Sequence, residues 1–376
     1  MCEAAMAMLK VKAKNPSRTL RELFAGWLSE GRLSAMLVPV MAKSGAATLA
    51  LVSDPAKMAE AAPLLPAMAV NAASVVHDIA RQKGEAGRVG LLLRPCEMRA
   101  VVELIKLRQV DADGVVLVGI DCPGTYKAAG FREVRTKGEE FDNEHAGGQR
   151  DYYDSPNLRT ACQVCDSSAP SAFDVAVGFL GLDPDKELWL EAGTDKGRVL
   201  LEGFDLTGEA PAARAKYLEA LKERRLKKAA GTIEKLDKVM RGPEKLVGYF
   251  ADCLNCHNCM RVCPVCYCHE CFFNSSTFQR GLDEHVRTAK RKGLTRMPSE
   301  TLLFHLTRMN HMMASCVACG ICEDSCPAGV GLLPLFKKVS RNVQAEFGYV
   351  SGRSLEEPLP LVAFREDEFQ AVGESE

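Results

Sequence analysis

The chain has 376 residues, which is enough for about two or three domains at roughly 150 residues each. Its 48 Lys and Arg residues are balanced by 49 Asp and Glu residues, and the formal net charge of −1 excludes the basic surface of a nucleic-acid-binding protein. The composition, 47% hydrophobic and 26% charged, is that of a soluble globular protein. No apolar run approaches the roughly 18 residues of a membrane span and no secretory signal is visible, so we predict a cytoplasmic protein.

The first half of the chain alternates between strand-like and helix-like segments. Apolar residues at helical spacing predict helices at 74–82 and 95–109. Because strands separated by helices usually pair within an α/β sheet, we predict an α/β domain with a partly parallel sheet over residues 1–210. The strands that we predict are 33–41, 48–52, 88–93, 114–120, 173–180, 187–191 and 198–202.

The rest of the chain divides into further segments of distinct composition. A polar stretch at 127–160 interrupts the α/β pattern and is predicted to be a long surface excursion. Residues 211–243 are highly charged with apolar residues near a helical period, which predicts a helical linker between two separately folding halves. A cysteine-rich domain is predicted at 244–345, followed by a C-terminal tail at 346–376.

The cysteines depart most from an ordinary composition. The chain has 16 of them, and 11 lie between Cys253 and Cys326. Disulfide frameworks are typical of short secreted chains, whereas these thiols crowd one window of a large chain at spacings of two and three residues. That pattern indicates metal or cluster ligation.

Two runs in this window have the form Cys-x2-Cys-x2-Cys-x3-Cys-Pro. This is the bacterial ferredoxin run, in which the fourth cysteine ligates the cluster of the other run. The alternatives, zinc or free buried thiols, do not require the x3-Cys-Pro ending. We therefore predict two [4Fe–4S] clusters. Their predicted ligands are Cys253, Cys256, Cys259 and Cys326 for one cluster, and Cys316, Cys319, Cys322 and Cys263 for the other.

The 52 residues between the two runs are far more than a minimal ferredoxin has, and much of this stretch has a helical pattern. We predict a helical ferredoxin-like domain. One apolar stripe at helical spacing is predicted to be core rather than ligand. It consists of Leu302, Leu303, Leu306, Met309 and Met313.

Three further thiols, Cys266, Cys268 and Cys271, have no place in the two runs. They could hold an additional metal together with His257 or His269, or they could tune the clusters through hydrogen bonds, which we favour. Cysteines 259, 263 and 266 also have the spacing of enzymes that cleave adenosylmethionine. Two of these thiols already belong to the ferredoxin run, and only 110 residues follow the third, so we discount that interpretation.

Four cysteines of the N-terminal half form another candidate group. Cys96 follows one predicted strand and Cys122 ends another, so neighbouring strands would bring both thiols to one edge of the sheet. Cys162 and Cys165 follow the polar stretch with a spacing of two residues. Together these are four thiols, enough for a third [4Fe–4S] cluster.

Sequence segments around these cysteines resemble those of a known family. RPCEMRAV, VVLVGIDCPGT and ACQVCDSSAPSAFDVAVGFLG resemble, in order, motifs of the beta subunits of coenzyme F420-reducing hydrogenase and F420-dependent formate dehydrogenase. CPVCYCHECFF and GRSLEEPLP resemble ferredoxin-bearing members linked to formate dehydrogenase or heterodisulfide reductase-like complexes. The resemblance implies an α/β domain of the beta-subunit type with a two-cluster ferredoxin-like domain appended to it.

The same resemblance implies cofactors and residue roles in the α/β domain. It implies FAD beside a [4Fe–4S] cluster, and hydride exchange between FAD and a deazaflavin, with a nicotinamide as another possible donor. The implied cluster ligands are Cys96, Cys122, Cys162 and Cys165. The residues implied to line the flavin pocket are Pro95, Arg99, Gly119 and Gly178.

These features predict an electron-transfer subunit of a cytoplasmic redox complex. Its flavin would accept two electrons as a hydride and release them singly to three clusters. The partner, a catalytic subunit of formate dehydrogenase or hydrogenase or a heterodisulfide reductase-like subunit, would carry the substrate chemistry. No dinucleotide fingerprint, P-loop or nucleophile elbow is present, and we predict no catalytic acid or base. The alternatives are an electron-wire adaptor without hydride transfer and an iron–sulfur regulator, although no DNA-reading helix is apparent.

Overall fold

The protein is described by a computed structural model. Most of the predicted excursion at 127–160 lies outside the described residues, as do Cys2, His269 and nearly half of the tail. None of the helices in the described part of the chain combines the length and apolar character that crossing a bilayer requires. The described residues are 5–80, 88–127, 131, 158–240, 242–268, 270–278, 281–294, 300–360 and 362.

Seven strands form one mixed sheet, and this confirms the predicted α/β domain. The strands are β1 Ala5–Lys10, β2 Ala35–Met41, β3 Ala47–Val52, β4 Val89–Leu93, β5 Val115–Ile120, β6 Val175–Gly178 and β7 Glu187–Ala192. Their order is β1-β7-β6-β5-β4-β2-β3. The neighbours β2, β4, β5 and β6 are parallel, and β1, β7 and β3 pair antiparallel with their neighbours. The carboxyl ends of the four parallel strands therefore lie at one edge of the sheet.

Helices cover both faces of this sheet. They include α1 Pro16–Ser29, α2 Ala72–Ala80 and α3 Pro95–Lys106. Neighbouring residues of a strand point to opposite faces, so Leu92 of β4 packs in the core that contains Phe24 of α1. Leu91 and Leu93 pack in the core that contains Val101 of α3. This two-sided burial explains the nearly continuous apolar sequences of β4 and β5.

Two parts of the predicted sheet differ from the observed one. The strand predicted at 198–202 is wrong, because Asp195–Leu200 is a helix, α5. The side chain of Thr194 accepts a hydrogen bond from the Gly197 amide at 3.3 Å, and this N-cap starts the helix. Strand β1 and helix α1 had not been predicted. They add an antiparallel edge strand and a buried helix before the first predicted strand.

One of the remaining helices, α4, lies between β5 and β6, and the others follow the sheet in sequence. Helix α6 is a single continuous helix over most of the predicted linker. The remaining helices are α4 Thr160–Gln163, α6 Ala212–Val239, α7 Pro243–Tyr249, α8 Asn258–Arg261, α9 Leu282–Lys292, α10 Glu300–Met312, α11 Ile321–Asp324 and α12 Leu332–Glu346.

Helix α6 packs along both halves of the molecule. Its Leu221 lies in the core of the sheet, Ala229 packs with Ala161 and Leu333, and Leu236 lies in the core of the cysteine-rich half. One helix face therefore touches three cores. The boundaries of the linker at 211 and of the cysteine-rich domain at 244 stay predictions. In this structure the two halves share packed surfaces along α6.

The start of the predicted tail is ordered against α3. Arg99 donates hydrogen bonds to the Ser351 carbonyl oxygen at 2.8 Å and to its hydroxyl at 3.0 Å. The Gly352 amide donates to Glu103 at 2.7 Å. Gly352 has a φ of +68°, and a Cβ there would lie 2.4 Å from the Cα of Arg99. Only glycine allows this close approach.

A buried ion pair holds α6 to the edge of the sheet that carries Cys122. Arg214 pairs with Asp121, and these side chains are 6% and 0% exposed. Asp121 also accepts hydrogen bonds from the amides of Phe179 and Leu180, at 2.8 and 2.9 Å. Losing one partner would leave a buried charge uncompensated.

We therefore expect Arg214→Met to lower the free energy of unfolding by about 3–5 kcal/mol. Urea unfolding followed by circular dichroism measures this. The matched control is Arg287→Met, because Arg287 pairs with Asp283 where both side chains are about three-quarters exposed, at 74% and 77%. That change should cost at most about 1 kcal/mol. Equal losses in the two variants would contradict a structural role for the buried pair.

Candidate iron–sulfur centres

The four N-terminal cysteines come together at the carboxyl edge of the sheet. Cys96 lies in the first turn of α3 directly after β4, and Cys122 follows the neighbouring strand β5. Burial, and then Glu97, Cys319 and Cys122, raises the pKa of the Cys96 thiol well above its usual value. The thiols of Cys162 and Cys165 are near enough to contribute to the raised pKa of Cys122. We call these four cysteines the proximal group.

Amides and buried cations surround the proximal group. The Thr125 amide donates to the sulfur of Cys162 at 3.3 Å. The guanidinium of Arg94 donates to the carbonyl oxygens of Leu65 and Ala67 at 2.7 and 3.0 Å, and it lies near Cys96 and Cys122. Buried N–H donors and positive charge are what a thiolate-ligated cluster needs around it.

The first ferredoxin run and the last cysteine of the second run line one pocket. The pocket is a cleft that is partly open to solvent. Its lining includes the four cysteines that were predicted to share one cluster, although two of them are separated by more than 60 positions in sequence. They are Cys253, Cys256, Cys259 and Cys326, and we call them the outer group.

The fourth cysteine of the first run, Cys263, lies beside the cysteines of the second run. Burial, and then Cys263, raises the pKa of the Cys319 thiol to about 11. Cys263 likewise contributes to the raised pKa of Cys322, for which burial is the first cause. The structure thus brings Cys263 of the first run to the cysteines of the second run. We call Cys263, Cys316, Cys319 and Cys322 the middle group.

The two ferredoxin runs have the same backbone conformation. The residue before the second cysteine has positive φ in both, at Asn255 (53°) and Ala318 (53°). The residue after the second cysteine also has positive φ, at His257 (60°) and Gly320 (73°). The short helices α8 and α11 then begin with the third cysteine in their first turn. Non-glycine residues rarely adopt this conformation, so its repetition indicates a functional constraint on both loops.

Arg308 of α10 lies between the outer and middle groups. It is buried, its guanidinium donates to the Cys259 carbonyl oxygen at 2.9 Å, and the thiols of Cys259, Cys263 and Cys322 favour its charge. Its Nε and Nη1 atoms are buried without a hydrogen-bond partner. Such orphaned donors are costly. Inorganic sulfide of a bound cluster is the kind of acceptor that would satisfy them, so the residues of these two groups fit [4Fe–4S] clusters.

Two histidines border the outer group. The sulfur of Cys253 lies 3.4 Å from Nε2 of His305, whose ring stacks on Phe250 with centroids 4.0 Å apart. Burial, with Arg308 nearby, lowers the pKa of His305 to about 3, so its imidazole is neutral at physiological pH. His257 stacks on Phe304 at 4.3 Å. His305 is therefore a buried side chain beside the cysteines of the outer group.

The cysteine arrangement does not fit a single metal ion. Within the described ranges no three His, Cys, Asp or Glu side chains converge closely enough to hold one. Thiolates around one zinc ion would lie about 3.8 Å apart, given Zn–S bonds of about 2.3 Å. A cubane presents its irons at separate corners, so its thiolates stand further apart. Cubane ligation is therefore the interpretation that the four-cysteine groups favour.

The four residues implied to line a flavin are occupied by contacts within the protein. A Cβ at Gly119 would lie 2.4 Å from Pro170, and one at Gly178 would lie 2.6 Å from Arg214. Pro95 is buried, and Arg99 is engaged with Ser351. At both glycines the missing Cβ makes room for protein packing. The role of these four residues in lining a flavin pocket stays a prediction.

The three groups lie in series. Cys319 of the middle group contributes to the raised pKa of Cys96 in the proximal group. Arg159 is buried between them and donates to the Cys319 carbonyl oxygen at 2.8 Å. Arg308 connects the middle group to the outer group, where Cys256 is exposed. The order is therefore proximal, middle, outer and solvent. Sequence reasoning missed all three buried arginines, since nothing local distinguishes them from surface ones.

No family model matches the chain. It is 26% identical to the F420-dependent formate dehydrogenase subunit beta of Methanocaldococcus jannaschii over 293 residues, covering 70% of this chain and 74% of the relative. It is 28% identical to the F420-dependent formate dehydrogenase 1 subunit beta of Methanococcus maripaludis over 315 residues, covering 73% and 75%.

A solved structure, the F420-reducing [NiFe] hydrogenase complex from Methanosarcina barkeri, matches with a TM-score of 0.44 and 12% identity. The match covers 61% of this chain and 92% of that one. The sequence relatives carry the assignment, and their alignments span most of both chains. They confirm the predicted resemblance to beta subunits of F420-dependent enzymes. The chain is similar to the F420-dependent formate dehydrogenase beta subunits over about 70% of its length.

Proposed function

We propose that the chain is the electron-transfer subunit of an oxidoreductase complex and carries three [4Fe–4S] clusters in series. The observation that carries this proposal is the serial placement of three four-cysteine groups, from the carboxyl edge of the sheet to an exposed cysteine. Beta subunits of this family belong to formate dehydrogenases that are named for their dependence on F420. The chain is accordingly an oxidoreductase subunit, and its donor is open.

The protein residues set the conditions for electron transfer. Iron–sulfur clusters, when bound, supply one-electron chemistry at potentials set by ligation, hydrogen bonds and burial. Arg94, Arg159 and Arg308 place three buried positive charges beside the groups, which favours the reduced, more negative state. Amides directed at Cys162 and Cys253, at 3.3 and 3.4 Å, act in the same direction. The chain needs no acid or base for this role.

The exposed end of the series indicates where a partner would take or deliver electrons. Cys256 is exposed, and its neighbour Leu254 is 67% exposed beside the same pocket. We propose that a catalytic subunit, of the formate dehydrogenase, hydrogenase or heterodisulfide reductase-like kind, docks here. Thiolate-rich clusters of this type suit a reducing compartment, and we place the complex in the cytoplasm.

Metal content is the direct test of the three groups. We expect about twelve iron and twelve sulfide per fully loaded chain, at four of each per cubane. Cys162→Ser should lower both to about eight, because a hydroxyl is a poor ligand for iron compared with a thiolate. Iron and sulfide analysis of the anaerobically purified chain measures this. About eight iron and eight sulfide per chain in the unchanged protein, with no loss in the variant, would contradict the prediction of a proximal cluster.

A flavin and a hydride donor remain part of the proposal. Flavin absorbance in the purified chain, bleached by a reduced deazaflavin or nicotinamide, would support hydride exchange beside the proximal group, where Pro95, Arg99, Gly119 and Gly178 are the predicted flavin contacts. Full iron without flavin would favour the second candidate, an electron-wire adaptor. The serial clusters support both, and the absorbance spectrum separates them.

A further inference from the structure

Three thiols lie outside the three groups, next to the middle group. The structure describes 15 free cysteines, of which the groups use 12, leaving Cys266, Cys268 and Cys271. No described side chains near them assemble a single-ion site. They therefore have no role in the proposed electron path as it stands.

Two of these thiols have the sequence spacing of a redox pair. Cys268 and Cys271 are separated by two residues, the spacing of thiol–disulfide oxidoreductases. Cys268 is exposed to solvent, while Cys271 is half-buried and packs on the core of the cysteine-rich half. An accessible first thiol can attack a substrate, and a shielded second thiol can then displace the product.

The third thiol connects this pair to the middle group. The Cys266 amide donates to the Cys263 carbonyl oxygen at 3.1 Å and also bonds its sulfur. Burial, and then the nearby thiols of Cys263, Cys271 and Cys268, raises the pKa of the Cys266 thiol. Cys266 and Cys271 pack on the same core as Cys263. A short path of one hydrogen bond and a few covalent bonds thus joins a middle-group ligand to the neighbourhood of the pair.

We propose that Cys268 and Cys271 form a redox-active dithiol–disulfide pair, which reduces a disulfide substrate with electrons delivered through the middle group. The inference rests on the proposed function, because it needs a cluster on Cys263 and its companions. It adds a second point at which electrons leave the series of clusters. There the acceptor is a disulfide that takes two electrons, rather than a docked subunit.

The reaction balances as a two-electron reduction, R–S–S–R plus two electrons and two protons giving two R–SH. The Cys268 thiolate attacks one substrate sulfur, so the substrate S–S bond breaks, a mixed disulfide forms and the first R–SH leaves. The Cys271 thiolate then attacks the Cys268 sulfur, and the second R–SH leaves. Two electrons, arriving singly from the middle and outer clusters, with two protons from water, reopen the Cys268–Cys271 bond. Two clusters can hold the two electrons that this step needs.

The test uses the full chain loaded with its clusters. Reduced methyl viologen serves as the one-electron donor and oxidised glutathione as the probe disulfide, so neither flavin nor coenzyme is required. We expect two viologens oxidised per disulfide, with at least a 100-fold loss of rate in Cys268→Ser and in Cys271→Ser. Peptide mapping after alkylation should find a Cys268–Cys271 disulfide in the oxidised protein and free thiols after turnover.

Cys2→Ser is the matched control, because it removes a thiol outside all of these groups. It should leave the rate unchanged, and every variant should keep the iron content of the unchanged chain. Full iron without turnover, or turnover that survives Cys271→Ser, overturns the inference while leaving the proposed function intact. Extra metal held by these thiols also overturns it. A chain that binds no iron at the middle group overturns the proposed function itself.

Discussion

In the Cys96→Ser variant, electrons from a reduced deazaflavin or nicotinamide should no longer reach the C-terminal clusters. Cys96 lies at the start of α3, where the proximal group meets Cys319 of the middle group. Serine replaces a soft thiolate with a hydroxyl that binds iron poorly. Changes to residues that only support a metal ligand cost about 10–100-fold, and the loss of a ligand should cost at least as much. Anaerobic stopped-flow absorbance measures reduction of the clusters.

Two controls separate loss of the path from loss of the fold. Dithionite, which reaches exposed clusters directly, should still reduce the middle and outer clusters of the variant. Ser171 also contacts the ordered start of the tail, through the Gly352 carbonyl oxygen at 3.4 Å, but is not a thiol, and Ser171→Ala should leave the rate unchanged. Undiminished cluster reduction in Cys96→Ser would show that electrons bypass the proximal group, and the proposed order would have to be abandoned.

The structure also explains which features could be predicted from the sequence. Cys96 and Cys122 were expected at one edge because each follows a strand, and β4 and β5 are parallel neighbours. The exchange of Cys263 and Cys326 followed from a spacing rule whose cause is local, since the short loops and the following proline direct each thiol. In both cases the chemistry follows from short-range geometry that repeats among proteins.

The predictions that failed depended on an assumption about burial. On α10, Leu303 and Leu306 were expected in the core, yet they are 49% and 43% exposed. Met309 and Met313 of the same stripe are buried as expected, at 8% and 1% exposure. The buried side of the helix also carries His305 and Arg308, at 1% and 3% exposure. Because this side of the helix faces the cysteine groups, polar side chains are turned inward beside the apolar ones.

Buried cations were missed because their partners lie far away in sequence. Arg159 pairs with Asp324, 165 residues further on, and Arg225 donates to Ser168, 57 residues before it, at 2.7 Å. Charge alone predicts a solvated surface for such residues. Only the fold places them beside the thiols, and their role can be tested by changing the charge.

Removing the charge of Arg308 should lower the reduction potentials of the middle and outer clusters. A reduced cluster carries one more negative charge, and the buried guanidinium stabilises it. At roughly 6 Å and an effective dielectric constant of about 20, one unit charge contributes about 3 kcal/mol. For a one-electron couple this is on the order of 100 mV. Arg308→Met should shift both potentials down by an amount of this order, as measured by redox titration with electron paramagnetic resonance.

Matched variants decide whether charge is the cause. Arg308→Lys keeps the positive charge at nearly the same place, so the potentials should recover most of the shift. Arg291→Met removes the same charge from α9, which has no buried residue, and solvent should screen its effect to a small fraction. Iron analysis must show intact clusters in each variant. If Arg308→Met leaves the potentials in place, the guanidinium acts only through packing and its bond to the Cys259 carbonyl oxygen, and the clusters lie further from Arg308 than the serial arrangement requires.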